Sequence, residues 1–404
     1  MARTNGVSSL RSKTWGEDAP RLRLNELEAR FEFAPFPRLT FRSFLSYEHF
    51  RSHPSKGMHM SNDIVWAPLP REEVVKAVER RNPVRPPLVM AKWWGEGLGE
   101  QYGERLRYFD RYPDDVAMFM ISPLDAGNMN LSWQIEGGKA HDSKVVINDW
   151  AQLDEFIEKI PDPRNDPALV DIVQRAERAR AEDRYVLFGW WGLFFERPWG
   201  LRGMENLMVD YYTAPDMVHR LHEALTQHYL GYIRHAADVI QPDGFWTSDD
   251  LGHQTSSMMR PSTFDELHKP YYTRIGSELH ERGIHFWLHS CGNNTPLMPA
   301  LIDAGVDIFH PVQKHTMDER SIADEFGGRI SFLAGIDVQH TLQEMDSEGV
   351  RAEVRFLIDT FDRPDGGMAI AAGNGIVNGT PFENIDAFLD EALRYGTEHR
   401  QRFQ

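Results

Sequence analysis

The chain has 404 residues, 41% of them hydrophobic and 26% charged, and a formal net charge of −17. That length suits two average domains or one large barrel with an extensive core, while the acidic balance opposes nucleic acid or an anionic membrane as partner. No apolar run approaches the roughly 20 residues needed to span a bilayer, Arg3, Arg11 and Lys13 break up any signal-peptide core, and the single cysteine excludes a disulfide framework; a soluble, cytoplasmic protein is expected.

In chain order, residues 1–70 combine charge with a dense aromatic set that includes Phe31, Phe33, Phe36, Phe41, Phe44, Tyr47, Phe50 and Trp66. They read as an N-terminal arm that packs on a barrel or a second subunit, and with that arm a homodimer is expected. From about residue 85, short apolar runs alternate with longer amphipathic stretches, the pattern of βα units on a parallel sheet. The predicted strands are Pro87–Trp93, Val116–Ile121, Tyr185–Trp190, Gly244–Thr247, Ile284–His289, Val306–His310, Ile330–Gly335 and Met368–Ala372. Residues 125–183 form an insertion after the second strand, with a hairpin at Leu131–Ile147 turning at Gly137-Gly138, placed to act as a lid. Helix starts are read at Thr213-Ala-Pro-Asp216 and Thr295-Pro296, and a capping box at Thr380, Pro381 and Glu383 opens a last helix that Gly396 is expected to stop. Eight such alternations over about 310 residues predict an α/β protein, a (β/α)8 TIM barrel over residues 71–404.

The chemistry concentrates in His289-Ser-Cys-Gly-Asn-Asn-Thr295, directly after an apolar strand. Side chains two apart on a strand share a face, so His289 and Cys291 project together as an imidazole and a thiol, half of a zinc site. A barrel gathers its strand ends at one mouth, which makes Asp249, Asp250, His310 and Asp337 the candidates to complete the set. Each has a simpler reading. A lone cysteine is usually a small buried hydrophobe, Asp249-Asp250 can cap a loop and Asp337 can pin one, and Trp93-Trp94 and Trp190-Trp191 can be packing. At strand ends the tryptophans would instead line the mouth and suit a flat aromatic substrate.

Several ordered blocks together resemble the uroporphyrinogen decarboxylase superfamily, which includes cobalamin- and thiol-dependent methyltransferases. The likeness runs from Arg71-Glu-Glu-Val-Val-Lys-Ala-Val78 to the last helix, and is densest in Ser248-Asp-Asp-Leu-Gly-His-Gln254, His289-Ser-Cys-Gly-Asn293, Asp303-Ala-Gly-Val-Asp-Ile-Phe-His-Pro-Val-Gln313, Gly335-Ile-Asp-Val-Gln339 and Thr380-Pro-Phe-Glu-Asn-Ile385. The resemblance implies a barrel enzyme. In the decarboxylases, arginines after the first strand hold a polycarboxylate; here Lys92 and Glu96 stand at those positions, Ser122-Pro123 replaces Ser-Asp, and Gly373-Asn-Gly-Ile376 replaces Gly-His-Gly. In the methyltransferases, His-x-Cys and a later cysteine bind zinc, and Asn374 occupies the place of that later cysteine.

The resulting expectation is metal-assisted methyl transfer or demethylation of a small organic substrate. Zinc would be held by His289, Cys291 and Asp250, with Asp250 alternatively a general base and Asp249 supporting it. Lys92 and Glu96 fall among the catalytic candidates, and Trp94, Trp191, Gln254, His310 and Asn374 among the substrate contacts. A corrinoid protein or a thiol cosubstrate would be the partner. Uroporphyrinogen-type decarboxylation and a non-catalytic corrinoid- or partner-binding barrel are the alternatives.

Overall fold

The computed structural model describes residues 66–124, 134–135 and 144–404, all within the unit that spans 38–404. The aromatic arm, apart from residues 66–70, and the Gly137-Gly138 turn lie outside the described residues.

Among the described residues, seven parallel strands form one sheet in the order β1 (Val116–Met120), β4 (Tyr185–Trp190), β5 (Gly244–Ser248), β6 (His285–His289), β7 (Ile308–His310), β8 (Ser331–Ile336) and β9 (Met368–Ala372). Every neighbouring pair follows the chain, with helices in the connections, as right-handed βα winding requires. Two further short strands, β2 (Gln134–Ile135) and β3 (Lys144–Val145), pair antiparallel within the region read as a hairpin.

The sheet curls until its edges approach a common segment. The amide of Val89 donates to Ile370 on β9, the amide of Ile370 donates to Pro87, and the Leu88 carbonyl accepts from Asp115 just ahead of β1. Residues 87–90 therefore sit in the seam between β9 and β1, where the first strand was expected, held by bridges rather than by a full ladder. Asp115 reinforces the seam, because its buried carboxylate accepts from the amides of Leu69 and Leu88 and from both terminal nitrogens of Arg85.

Strand side chains alternate between two cores. One set, including Val89, Leu187, Trp246, Trp287, Ile308, Leu333 and Ala371, packs inside the curl with Val74, Val75 and Val78 of the helix Arg71–Glu79. The Ala77 and Val78 carbonyls of that helix accept from the Gly367 amide and the Ser331 hydroxyl at the amino ends of the strands. With that end plugged, the carboxyl ends carry the open chemistry.

Two helix boundaries differ from the sequence reading. Helix Phe382–Gln401 begins after Pro381, no side chain caps it, and it runs through Gly396. Gly396 faces Pro86 so closely that a Cβ there would lie 3.2 Å from the proline Cδ, so that glycine serves packing and not termination. Likewise Thr213 ends the helix Met204–Thr213, and the next helix starts at Pro215.

Candidate metal centre at the strand carboxyl ends

The register aligns Ser248 with His289 and His289 with His310, so the last residues of β5, β6 and β7 form one row at the mouth. Just beyond that row, the loops after β5 and β6 cross at Gly252 and Gly292. The Gly252 amide donates to the Cys291 carbonyl at 3.1 Å; a Cβ on Gly252 would lie 2.4 Å from that carbonyl oxygen, and Gly292 has φ +81°. Only residues without a side chain permit this approach. Asn294 fastens the loop, donating to the carbonyls of Ser290, Cys291 and Gly292.

The crossing delivers Asp250 to the cysteine. Asp250 Oδ1 accepts from the Cys291 amide at 2.8 Å and lies 3.7 Å from His289 Nε2, which is 3.4 Å from Cys291 Sγ. Among the described residues, Asp250, His289 and Cys291 are the group whose donor atoms could hold a metal ion, all within 4.8 Å of one another. A tetrahedral zinc ion, with bonds of about 2.3 Å to sulfur and about 2.0–2.2 Å to nitrogen or oxygen, sets its donors roughly 3.4–3.6 Å apart. The two spacings from His289, 3.4 and 3.7 Å, are close to those values, and the donor set suits that ion.

Burial sets the electrostatics of the cluster first, and nearby carboxylates second. Burial, then the charge of Asp250, pushes the Cys291 thiol well above its ordinary range, and burial pulls His289 down to about 4. Burial thus leaves the imidazole with a free lone pair and the thiol protonated, and the negative charge of Asp250 and Glu196 is the part of this setting that favours a cation. Asn374 lies against the same sulfur, its Nδ2 3.8 Å from Sγ, while its Oδ1 accepts from the Gly375 amide. The carboxamide therefore offers the sulfur a donor.

The neighbouring carboxylate does different work. Asp249 is fully buried and accepts from the amides of Phe194, Phe195 and Glu196 and from the Tyr272 hydroxyl, all at 2.6–3.0 Å. It ties the loop after β4 to the end of β5. Burial, then the charge of Glu196, raises its pKa to about 6. Glu196 was not foreseen: its carboxylate accepts from the Ser248 hydroxyl and its charge acts on both His289 and Cys291. The available signal was its position in the first turn after a strand end.

Other anticipated residues are spread more widely. Lys92 Nζ turns away to Asp114 at 3.0 Å and to the Tyr112 carbonyl, and Glu96 is exposed. Trp191 does face the cluster, with ring centroids 5.6 Å from His289 and 5.5 Å from Trp93. Of the pair Trp93-Trp94, it is Trp93 that reaches His289, at 6.1 Å, whereas Trp94 packs on Phe109 at 5.6 Å. Gln254 is exposed in the loop after β5. His310 is buried behind His289 rather than lining the mouth. Asp337 caps its own loop through the amides of Gln339, His340 and Thr341.

A parallel α/β sheet of the TIM-barrel type with a donor cluster at the strand carboxyl ends defines an enzyme-like scaffold. The family model for uroporphyrinogen decarboxylase (URO-D) matches residues 106–395, and the chain belongs to that family. A uroporphyrinogen decarboxylase from Anaeromyxobacter dehalogenans is 27% identical over 252 residues, covering 59% of this chain and 67% of that protein. A methylated-thiol–coenzyme M methyltransferase from Methanosarcina mazei is 24% identical over 189 residues, 47% of this chain and 48% of that protein, so the match spans about half its length. Among solved structures, a methyltransferase from Methanosarcina mazei has a TM-score of 0.59 at 14% identity, covering 80% of this chain and 98% of that one; the likeness is one of fold. No described helix is long and apolar enough to cross a membrane.

Proposed function

We propose that this chain is a metal-assisted methyltransferase or demethylase acting on a small organic substrate, built on an eight-stranded barrel that residues 87–90 close. The observation that supports it is the convergence of Asp250, His289 and Cys291 at zinc-like spacings. When bound, zinc supplies Lewis acidity at an open fourth position and lowers the pKa of a thiol placed there.

The remaining steps belong to the protein. Asp250 and Cys291 bring two negative charges and His289 a neutral lone pair, a set that balances a divalent cation. Asn374 steadies the sulfur through its amide N–H. With Asp250 in the donor set, Glu196 is the nearby carboxylate to accept the proton of an incoming thiol. Trp93 and Trp191 wall the His289 side and keep water from it. A corrinoid protein as methyl donor, a homodimer and a cytoplasmic location go with this reading.

The uroporphyrinogen-type alternative has the decarboxylase relative in its favour, but a polyanion would meet Asp250 and Glu196 at the mouth, and Lys92 is engaged elsewhere. The test is metal analysis of the purified full chain, followed by methyl transfer from methylcobalamin to a panel of thiols. Stoichiometric zinc that Cys291→Ser abolishes, together with zinc-dependent transfer, is expected. A zinc-free preparation whose Cys291→Ser variant turns over uroporphyrinogen unchanged would transfer the assignment to the decarboxylase.

A further inference from the structure

His289 and His310 meet nitrogen to nitrogen, Nδ1 to Nδ1 at 2.7 Å, from neighbouring strands in register. Such a contact holds one proton, so one ring donates and the other accepts. The opposite nitrogen of His310, Nε2, lies 3.1 Å from the Ala372 carbonyl oxygen on β9, which can only accept. His310 therefore carries its proton on Nε2. The reverse assignment would press the lone pairs of two buried acceptors together, a cost that burial leaves uncompensated.

The ring of His310 is 1% exposed and no carboxylate pairs with it among the described residues, conditions under which an imidazole stays neutral. Its Nδ1 is then a lone pair, and the shared proton belongs to His289 Nδ1. What remains on His289 is a bare Nε2, the atom 3.4 Å from Cys291 Sγ and 3.7 Å from Asp250 Oδ1.

We propose that His310 is a positioning residue that locks His289 in the Nδ1–H tautomer and so aims a single lone pair at Asp250 and Cys291. The relay runs from the Ala372 carbonyl through His310 to His289, joining β9, β7 and β6, and three indoles hold the His289 ring in place, with Trp93, Trp191 and Trp246 centroids 6.1, 5.6 and 6.0 Å away. The use of that lone pair for a metal rests on the function proposed above; the tautomer itself does not.

Long-range proton–nitrogen NMR on metal-free, full-length protein carrying 15N-histidine reads the tautomers directly, with the two signals assigned by their loss in His289→Gln and His310→Phe. His289 protonated on Nδ1 alone and His310 on Nε2 alone is the expected result; His289 protonated on Nε2 overturns the proposal whether or not zinc binds. Zinc affinity by chelator competition then reads the consequence. His310→Phe keeps the ring and removes the acceptor, and should weaken zinc about 10- to 100-fold. His310→Asn returns an oxygen near the Nδ1 position and should recover affinity to within a few-fold. Wild-type affinity in a folded His310→Phe protein would refute the positioning role. Absence of zinc binding in the wild type would refute the metal reading and leave the tautomer to the NMR.

Discussion

Asp249 and Asp250 are adjacent in sequence and should respond oppositely to the same substitution. Asp249→Ala would strip the acceptor from three backbone amides and the Tyr272 hydroxyl in a fully buried setting. An unsatisfied buried donor costs about 1–3 kcal/mol, so even the lower bound for four donors is about 4 kcal/mol, a large part of the roughly 5–15 kcal/mol typical of a folded domain. At about 2 °C per kcal/mol for a large chain, the melting temperature should fall by about 8 °C or more. Asp250 is one-third exposed and its carboxylate meets the Cys291 amide at the mouth. Asp250→Ala should therefore cost about 1 kcal/mol or less in stability but remove zinc binding. Calorimetry and metal content at pH 7.5 on both variants decide the matter. Equal melting shifts, or zinc retained in Asp250→Ala, would refute the division of labour between the two carboxylates.

Gly252→Ala would place a methyl 2.4 Å from the Cys291 carbonyl oxygen; a displaced loop, loss of zinc binding and a cost of about 1–3 kcal/mol are expected, measured by metal content and urea midpoint. Burial holds His222 and His228 at about 4, below the ordinary 6.5. Below pH 6.5 the unfolded chain gains protons that the folded chain refuses, so the stability from each is complete above 6.5 and is lost as pH falls towards 4, by up to about 3 kcal/mol apiece. Asp249, held at about 6, acts in the opposite sense: its contribution is present at low pH and is lost as pH rises through 6. Urea midpoints from pH 7 to pH 5 should fall less steeply in His222→Leu than in wild type, by about one proton's worth of slope; parallel profiles would contradict the burial argument.

The strands were legible because a strand buried on both faces is a short apolar run between turns, and Tyr185–Trp190 and Met368–Ala372 appear with the ends read from sequence. The region of residues 87–93 was less so, since a segment held by bridges at a seam has the same composition as one in a full ladder. His289 and Cys291 announced themselves by their spacing at the end of a strand. The tryptophan pair could not be resolved that way: adjacent residues face opposite sides, and which of Trp93 and Trp94 turns to the mouth depends on a register that no local pattern encodes.

Local pattern thus determined the alternation of elements, the mouth at which chemistry would gather and the thiol–imidazole pair within it, because periodicity and spacing act over a few residues. Asp250 and His310 were already candidates by their places at strand ends; tertiary structure alone decided that Asp249 anchors a loop, that Lys92 points elsewhere, that His310 sits behind His289 and that Glu196 attends the site. Those outcomes depend on where Gly252 crosses Gly292 and how β5, β6 and β7 align, contacts between segments about 20 to 40 residues apart whose geometry exists only once the sheet has curled.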